Sequence, residues 1–572
     1  MGVFFAGRLW ISPATMSVVD DTAMANQNLS VGNVLVLIGR SSGGEPNKAL
    51  RFGSPQQAIA TLRDGELLEA VKRAFDPSAQ TNGPSLVIAV RVNPAVQSGL
   101  SLLDASNNPV ISLKSTDYGL YTNQIKVKVE SGSTAGKKVT TQFGNAYYTA
   151  DNISRSAFRV QYTGAAATAV MDVTNSQITL QAPTGTTVAT IDLDSFPSVE
   201  QVVDRINSVT GFTASVEDGN GQKPALNGLD TVTAQDVKTA PYVATAHLQA
   251  IVDWLNGTSE GFVTATRAVN AGTVPANIPF TYMTGGSDGI VTNSEWGDAY
   301  ATLQTVDAQW VVPVSSDPSI HAMNDTHCAF MSNVARMERR GIVGMASGST
   351  DDQALAAAKA LNSDRTSLIH LGFYDYNPAG KLVLFPPYIA AALVAGAFSG
   401  VNPGTPLTNK TVKVRGLERD LRNPTDTDVL IEGGVLCLEN TPNGYKVVKS
   451  ITTWLANDNY NRVEVSVGAA ADFVARNVRD AVDILRGEKA SPISMSRAVS
   501  ITESTLRELA RPEPQGPGVI VGDEASPAYR NIKAELEGDV LRIEFECSPV
   551  LPINYIPITI FAVPYSGTAT AA

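Results

Sequence analysis

Gly434-Val435-Leu436-Cys437-Leu438-Glu439 and Tyr445-Lys446-Val447-Val448-Lys449 are two strand-like runs rich in Val and Leu, separated by Thr441-Pro442-Asn443-Gly444. An Asn-Gly pair tolerates positive φ, so the stretch predicts a β-hairpin. Ser450-Ile451-Thr452-Thr453-Trp454 and a polar loop follow, and then a helix. Its apolar positions Val474, Val478, Ala481, Val482 and Leu485 recur at three- to four-residue spacing. The remaining positions Asp472, Arg476, Arg479, Asp483 and Arg486 carry mixed charges at i,i+3 and i,i+4 separation. That is the pattern of a solvated face laced by ion pairs.

Outward from this stretch the chain alternates strands and helices. Asn33–Gly39 and Leu86–Val92 read as buried strands, with Ser54-Pro55 opening a helix and Glu66–Phe75 forming another. After Gly289 the rhythm returns with a strand at Trp310–Val314, a helix within Ser319–Arg340, a strand at Ile342–Met345 and an Ala-rich helix at Asp351–Asn362. Ser367–Gly372 and Leu382–Phe385 continue it. Such alternation predicts a doubly wound α/β sheet. Residues 131–236 differ, being rich in Thr, Ser, Ala, Gly and Asn, with short alternating runs and one helix opened by a Ser198/Gln201 capping box. They predict an inserted β-rich domain that decorates the outside.

The fold class expected is therefore α/β and multidomain. An N-terminal arm (1–30) precedes a doubly wound middle domain (31–130 with 237–400) that carries the insert (131–236). An α+β C-terminal core (401–550) and a C-terminal β arm (551–572) follow. Both arms hold apolar spots without a core of their own: Leu9, Trp10 and Ile11 at one end, Ile553, Tyr555, Ile558 and Ile560 at the other. The C-terminal run is β-prone yet punctuated by Pro549, Pro552, Pro557 and Pro564. Proline removes a ladder donor, so the run suits an edge or an extended arm.

Composition narrows the function classes. The 572 residues suffice for about three or four domains. With 43% hydrophobic and 17% charged residues, those domains have real cores. A net charge of −12 argues against a general nucleic-acid binder, which needs clustered Lys and Arg. Cys328, Cys437 and Cys547 are odd in number and far apart, which offers no disulfide framework and suits a reducing cytoplasm. Met1–Ala6 has no basic leader, and the apolar run Ile389–Phe398 is about half the length of a membrane span, so a soluble product without membrane insertion is expected.

Candidate chemistry is sparse. His321, Asp325 and Cys328 fall on one helical face at i, i+4 and i+7 with His327 close by, a set zinc accepts. A helix covering a sheet explains the same residues and is preferred. Gly39–Gly44 lacks the Gly-Lys-Ser/Thr ending of a phosphate loop, and Thr284–Gly289 fits a tight turn better than a cation loop. No Gly-x-Ser-x-Gly elbow occurs, and the four histidines stand in no catalytic motif. Neither an enzyme nor a cofactor or metal is expected.

Taken together, the hairpin, Ile451-Thr452-Thr453-Trp454 and the Arg/Asp helix resemble the C-terminal core of contractile-tail sheath proteins. Pro386–Gly396 looks like the family's preceding helix, Pro406–Lys410 and Val414–Glu418 like its loop and strand, and Thr284–Gly289 like the turn that opens its middle domain. The likeness covers roughly 280–565 well, 30–130 loosely and 131–236 hardly at all. It implies a structural subunit of a bacteriophage tail sheath, or of the DNA-free tailocin, that stacks as hexameric rings in a helical lattice around a tail tube protein. Baseplate and tail terminator proteins would be its other partners, the virion tail its location and the host cytoplasm its place of assembly. The resemblance further implies that the terminal arms complete a sheet in neighbouring subunits. It also places Arg476, Arg479 and Arg486 on the helix that meets the tube. The competing classes are a doubly wound enzyme with a lectin-like insert and a surface adhesin.

Overall fold

The computed structural model describes residues 3–5, 8–10, 34–257, 261–562 and 567, and the chain divides into two compact units. The first unit comprises residues 1–41, 47–92 and 291–572. Its elements, in chain order, begin with β1 (Val34–Gly39), β2 (Ala49–Phe52), α1 (Pro55–Leu62), α2 (Glu66–Phe75) and β3 (Leu86–Arg91). Then come α3 (Asn293–Thr302), β4 (Trp310–Pro313), α4 (Pro318–Asn333), β5 (Arg340–Gly344), α5 (Asp351–Leu361), β6 (Thr366–Ile369) and α6 (Pro387–Ser399). The C-terminal part adds β7 (Val435–Leu436), β8 (Leu438–Thr441), β9 (Gly444–Val447), α7 (Val465–Val482), α8 (Pro492–Leu509), β10 (Tyr529–Glu537) and β11 (Val540–Cys547).

A seven-stranded sheet in the order β7-β6-β5-β4-β1-β3-β2 organises this unit. All its pairings are parallel except that of the edge strand β2 with β3. Alternate side chains feed two cores. Leu35, Leu37, Val87, Ala89, Trp310 and Val312 face α2 and α6 in one. Val34, Val36, Ile38, Ile88, Val90 and Val311 face α3 and α4 in the other. Both faces are covered, which is why these strands read as unbroken apolar runs. The helix α6 is buried along its whole length, so its sequence is apolar all round. Strand order reverses between β1 and β4, the place where open α/β sheets bind nucleotides. Here the crevice is packed shut, since a Cβ on Gly39 would lie 2.9 Å from the Val314 Cβ and 3.4 Å from that of Leu67.

The Leu438–Val447 stretch is a hairpin, with Leu438 opposite Val447 and Thr441 opposite Gly444 (φ 109°). Its first run, however, serves two sheets. Val435–Leu436 joins the parallel sheet beside β6, and after Cys437 the chain turns into β8. The C-terminal core 401–550 is therefore not separate from the α/β sheet: one of its strands is the sheet's edge. The helix within Ser319–Arg340 ends at Asn333, and Arg340 begins β5.

Ser42–Pro46 with Asn93–Ile290 form the second unit, which is largely antiparallel sheet around two cores. The first gathers Ile111, Leu113, Val127, Val129 and Val139 with Leu248, Ile251 and Leu255 of the helix His247–Gly257. The second gathers Phe158, Val160, Met171, Ile178 and Leu180 around the helix Val199–Asn207, whose Ser198/Gln201 capping box forms as its sequence predicts. The expected insert boundary at 131–236 is corrected by this arrangement. Strand Lys137–Phe143 pairs with Lys126–Ser131 and Ala146–Ile153, and Ile278–Tyr282 completes that sheet. Residues 93–130 and 237–290 thus belong with the β-rich unit, because strands across the composition change share one ladder.

The chain enters and leaves the second core at one doorway, and Leu229, Thr231 and Asn175 tie it further to Arg267 and Gly272. The Ala246 N–H donates to the Arg155 carbonyl at 2.9 Å, and the Arg155 N–H donates to His247 Nδ1 at 2.8 Å. Replacing Ser156–Thr245 by a short Gly/Ser linker should therefore leave the first core folded, since closing a short loop costs little. The excised Asp230 caps His247–Gly257 through the N–H groups of His247 (2.7 Å) and Leu248 (3.1 Å). Its loss should cost about 1 kcal/mol. A cooperative thermal transition of the shortened chain checks this, and collapse of its antiparallel strands in circular dichroism would contradict it.

Candidate assembly surfaces

The helix α7 has two working sides. Ala470, Phe473, Val474 and Val478 pack against Leu506 and Leu509 of α8 and against Val519 and Ile520. Its charged side does not look into solvent. Asp472 accepts from Arg340 Nε at 3.0 Å and from Arg365 Nη1 at 2.7 Å on both oxygens. Arg476 pairs with Asp307 at 2.7 Å, donates to the Glu338 carbonyl at 2.6 Å and sits 3.4 Å from the Glu338 carboxylate. Arg479 donates to the Arg336 carbonyl at 2.7 Å and ion-pairs with Glu338. These partners precede or begin β4, β5 and β6, so the helix is clasped to the N-terminal edge of the parallel sheet. Gly468 makes room for it, because a Cβ there would lie 2.1 Å from Arg340 Nη2.

This corrects the expectation for two of the three arginines. Arg476 is 7% exposed and Arg479 is half-buried, and both bond within the chain. Mixed charges at i,i+4 spacing are compatible with water or with a second charged surface, and here Asp307, Glu338, Arg340 and Arg365 supply that surface. The missed signal was the placement of charged residues immediately before buried strands, as in Glu338-Arg339-Arg340 and Asp364-Arg365. Arg486 alone is exposed, with Asp483 as its ion-pair partner.

The zinc candidates do not converge. His321 Nε2 bonds the Ser315 carbonyl at 2.9 Å, and Asp325 accepts from Thr366 at 2.6 Å. Cys328 is buried in the sheet-covering core, and burial pushes its thiol up to about 12. His327 lies 3.0 Å from Arg339 Nη1, and burial followed by that guanidinium pulls it down to about 3. Thr284–Gly289 is a turn bridged to Val96 and Gly99, with Asp288 accepting from the Leu120 N–H at 3.1 Å.

The chain ends carry the other candidate surface. Leu9 and Trp10 lie in a short strand that pairs with Val3–Phe5, and Ile11 lies outside the described residues. At the opposite end the Val550 N–H still bonds the Val519 carbonyl at 3.1 Å. Beyond it, residues 551–562 form no strand or helix, and Ile553, Tyr555, Ile558 and Ile560 are 77–85% exposed. Strands β10 and β11 form a two-stranded sheet on α8 and the α7 core, and among the described residues neither outer edge is paired. An open edge is a template for another strand. The chain thus presents an exposed, unladdered apolar run and a sheet with open edges.

Comparison with known proteins fits this arrangement. Residues 289–453 match the family described as the phage tail sheath protein central domain. The tail sheath protein of Bacillus phage SP01 is 28% identical over 587 aligned positions, covering 100% of this chain and 98% of that protein. The putative tail sheath protein of Enterococcus phage phiEF24C is 27% identical, with 96% of each chain covered. Sheath tail proteins from Desulfitobacterium hafniense (TM-score 0.54, 11% identity, 95% of this chain and 97% of that one) and Listeria innocua (0.55, 13%, 91% and 92%) share the fold. Residues 289–453 thus carry the central domain of the phage tail sheath family, and the chain is similar along its whole length to phage tail sheath proteins.

The clasp separates the arginines by experiment. Arg476→Glu should destabilise the first unit by about 3 kcal/mol, because it sets a third carboxylate beside Glu338 and Asp307 in a buried place. Arg486→Glu should change stability by no more than about 0.5 kcal/mol. Thermal unfolding of both variants checks this, and equal midpoints would remove the clasp from the stability of the fold.

Proposed function

We propose that this subunit polymerises as stacked hexameric rings in a helical lattice around a tail tube. There it is held extended until a baseplate signal lets the lattice shorten and drive the tube through the host envelope. The observation that carries the reading is that the run 551–561, with most of its apolar side chains exposed, pairs with no strand on a chain whose own β10–β11 sheet has open edges among the described residues. Strand addition between copies satisfies both. About four to six new backbone hydrogen bonds, each worth roughly 0.5–1.5 kcal/mol net, give several kcal/mol per junction before ordering costs. The N-terminal residues around Leu9, Trp10 and Ile11 are the second arm of this reading.

Contraction then needs two packings of the same subunits, the shorter one lower in free energy and separated by a barrier. A joint made of paired strands on a pliant linker lets rings slide and rotate without parting. No cofactor enters this mechanism, because the work is stored in the lattice during assembly in the host cytoplasm. Arg486, at the C-terminal end of the clasped helix, is the remaining candidate for contact with the tube. The tail terminator would cap the last ring.

Removing Leu551–Ala572 should yield a folded subunit that sediments as a monomer and forms no tubes under conditions where the full chain does. Electron microscopy and sedimentation of the two proteins side by side check this. Long tubes from the truncated chain would sink the strand-exchange reading.

A further inference from the structure

The C-terminal run meets its own subunit at a polar contact that its exposed hydrophobic side chains do not explain. Asn554 Nδ2 donates to Glu464 Oε1 at 2.7 Å. Glu464 is 1% exposed, immediately precedes α7 and is bridged through its backbone to Ile451. The amide oxygen Asn554 Oδ1 and the second carboxylate oxygen Glu464 Oε2 are buried and have no hydrogen-bond partner. Lys449, from the segment after β9, is the charged group facing this pair. Its Nζ stands 3.8 Å from Glu464 Oε1 and 5.9 Å from the centre of the Tyr555 ring. Arg462, on the short helix just before Glu464, is engaged elsewhere, 4.0 Å from Asp364 and stacked over Trp454.

An amide and a carboxyl group here share one hydrogen bond while each keeps an idle, buried acceptor. Two acceptors cannot bond each other, and leaving both unsatisfied is costly. One proton resolves the conflict. A neutral carboxyl carries an O–H on Oε2, which donates to the amide oxygen while Oε1 still accepts from Nδ2, so the pair closes with two bonds.

We propose that Asn554 and Glu464 form a proton-dependent pin that positions the C-terminal strand segment on its own subunit until that segment is passed to a neighbour. The proton comes from solvent to Glu464 Oε2 on closing and returns to solvent on release. The hand-over half of this statement rests on the strand-exchange reading, whereas the pin itself does not. Burial raises the Glu464 pKa above its ordinary value, opposed by the Asn554 hydrogen bond and by Lys449. The sign follows from that direction. Above the raised pKa the carboxylate is ionised and the pin keeps one bond; as pH falls through it, the second bond forms and the segment is held more tightly.

The test is limited proteolysis of the full-length, unassembled chain. Chymotrypsin cleavage after Tyr555 and Phe561 is compared with cleavage of a synthetic peptide of residues 549–562 in the same tube, which cancels the protease's own pH response. As the pH is lowered from about 8 to about 4.5, the ordinary value of a glutamate, protection of the wild-type segment relative to the peptide should rise about three- to tenfold, the worth of one hydrogen bond. Glu464→Gln carries an amide N–H in place of the acid proton, so its protection should be high and the same at both pH values. Asn554→Ala should be cleaved at the unprotected rate at both. Wild-type protection that does not change with pH, or an Asn554→Ala chain as protected as wild type, overturns the pin. Should Glu464→Gln fail to fold, the wild-type pH comparison and Asn554→Ala still decide, because residue 554 lies outside every core. Tubes formed by the chain lacking residues 551–572 would overturn strand exchange and leave the pin standing, so the two failures are distinguishable.

Discussion

Arg340 is the residue on which the first unit turns. It begins a central strand of the parallel sheet and is 5% exposed, and burial lowers its pKa against the pull of Asp472. An arginine placed there must find a carboxylate and further acceptors. Asp472 of α7 and the Asp364 carbonyl, at 2.9 Å, provide them. Arg365 shares Asp472, and one turn further along α7 Arg476 and Arg479 repeat the arrangement with Asp307 and Glu338. Buried ion pairs add little to net stability compared with apolar packing, but breaking one is expensive. Their effect is to admit one register of helix on sheet. The α7–α8 pair and the β10–β11 hairpin are thus seated on the edge of the α/β sheet in a defined position, and residues 548–550 continue from that hairpin into the free run.

The resulting division of labour is physical. The sheet, covered on both faces, forms a stiff base. The run 551–562 and the open edges of the β10–β11 hairpin are the parts whose backbone groups remain available in one copy. On the strand-exchange proposal, the stiff base is what would give such a joint a fixed geometry.

How much of this the sequence revealed depends on the kind of interaction. Elements governed by local rules were legible: the Ser54 and Ser198 caps, the Asn443-Gly444 hairpin, the continuous apolar runs of β1 and β3 and the all-apolar α6. The proline-punctuated terminus was legible as an unladdered segment for the same reason, since proline acts on its own backbone. Elements governed by partners distant in sequence were not. Nothing near Arg476 announces Asp307 or Glu338, so a clasp and a solvated stripe have the same periodicity. Val435–Leu436 and Leu438–Thr441 look like one strand because the switch between sheets happens at a single buried residue, Cys437. The polar composition of 131–236 reported where side chains are exposed, whereas the unit's limits are set by ladders that reach from Lys126 to Tyr282.

The doorway at Arg155 and Ala246 has a further consequence. A lobe whose entry and exit are hydrogen-bonded neighbours puts little length constraint on its host, and its further ties to the host are few: Asp230 on the helix His247–Gly257, Leu229 and Asn175 on Arg267, and Thr231 on Gly272. Away from those ties, enlargements and replacements are free of the rules that fix the clasp and the sheet. The adjacent ends at Arg155 and Ala246 are a natural socket for grafting a foreign domain whose own termini lie close together.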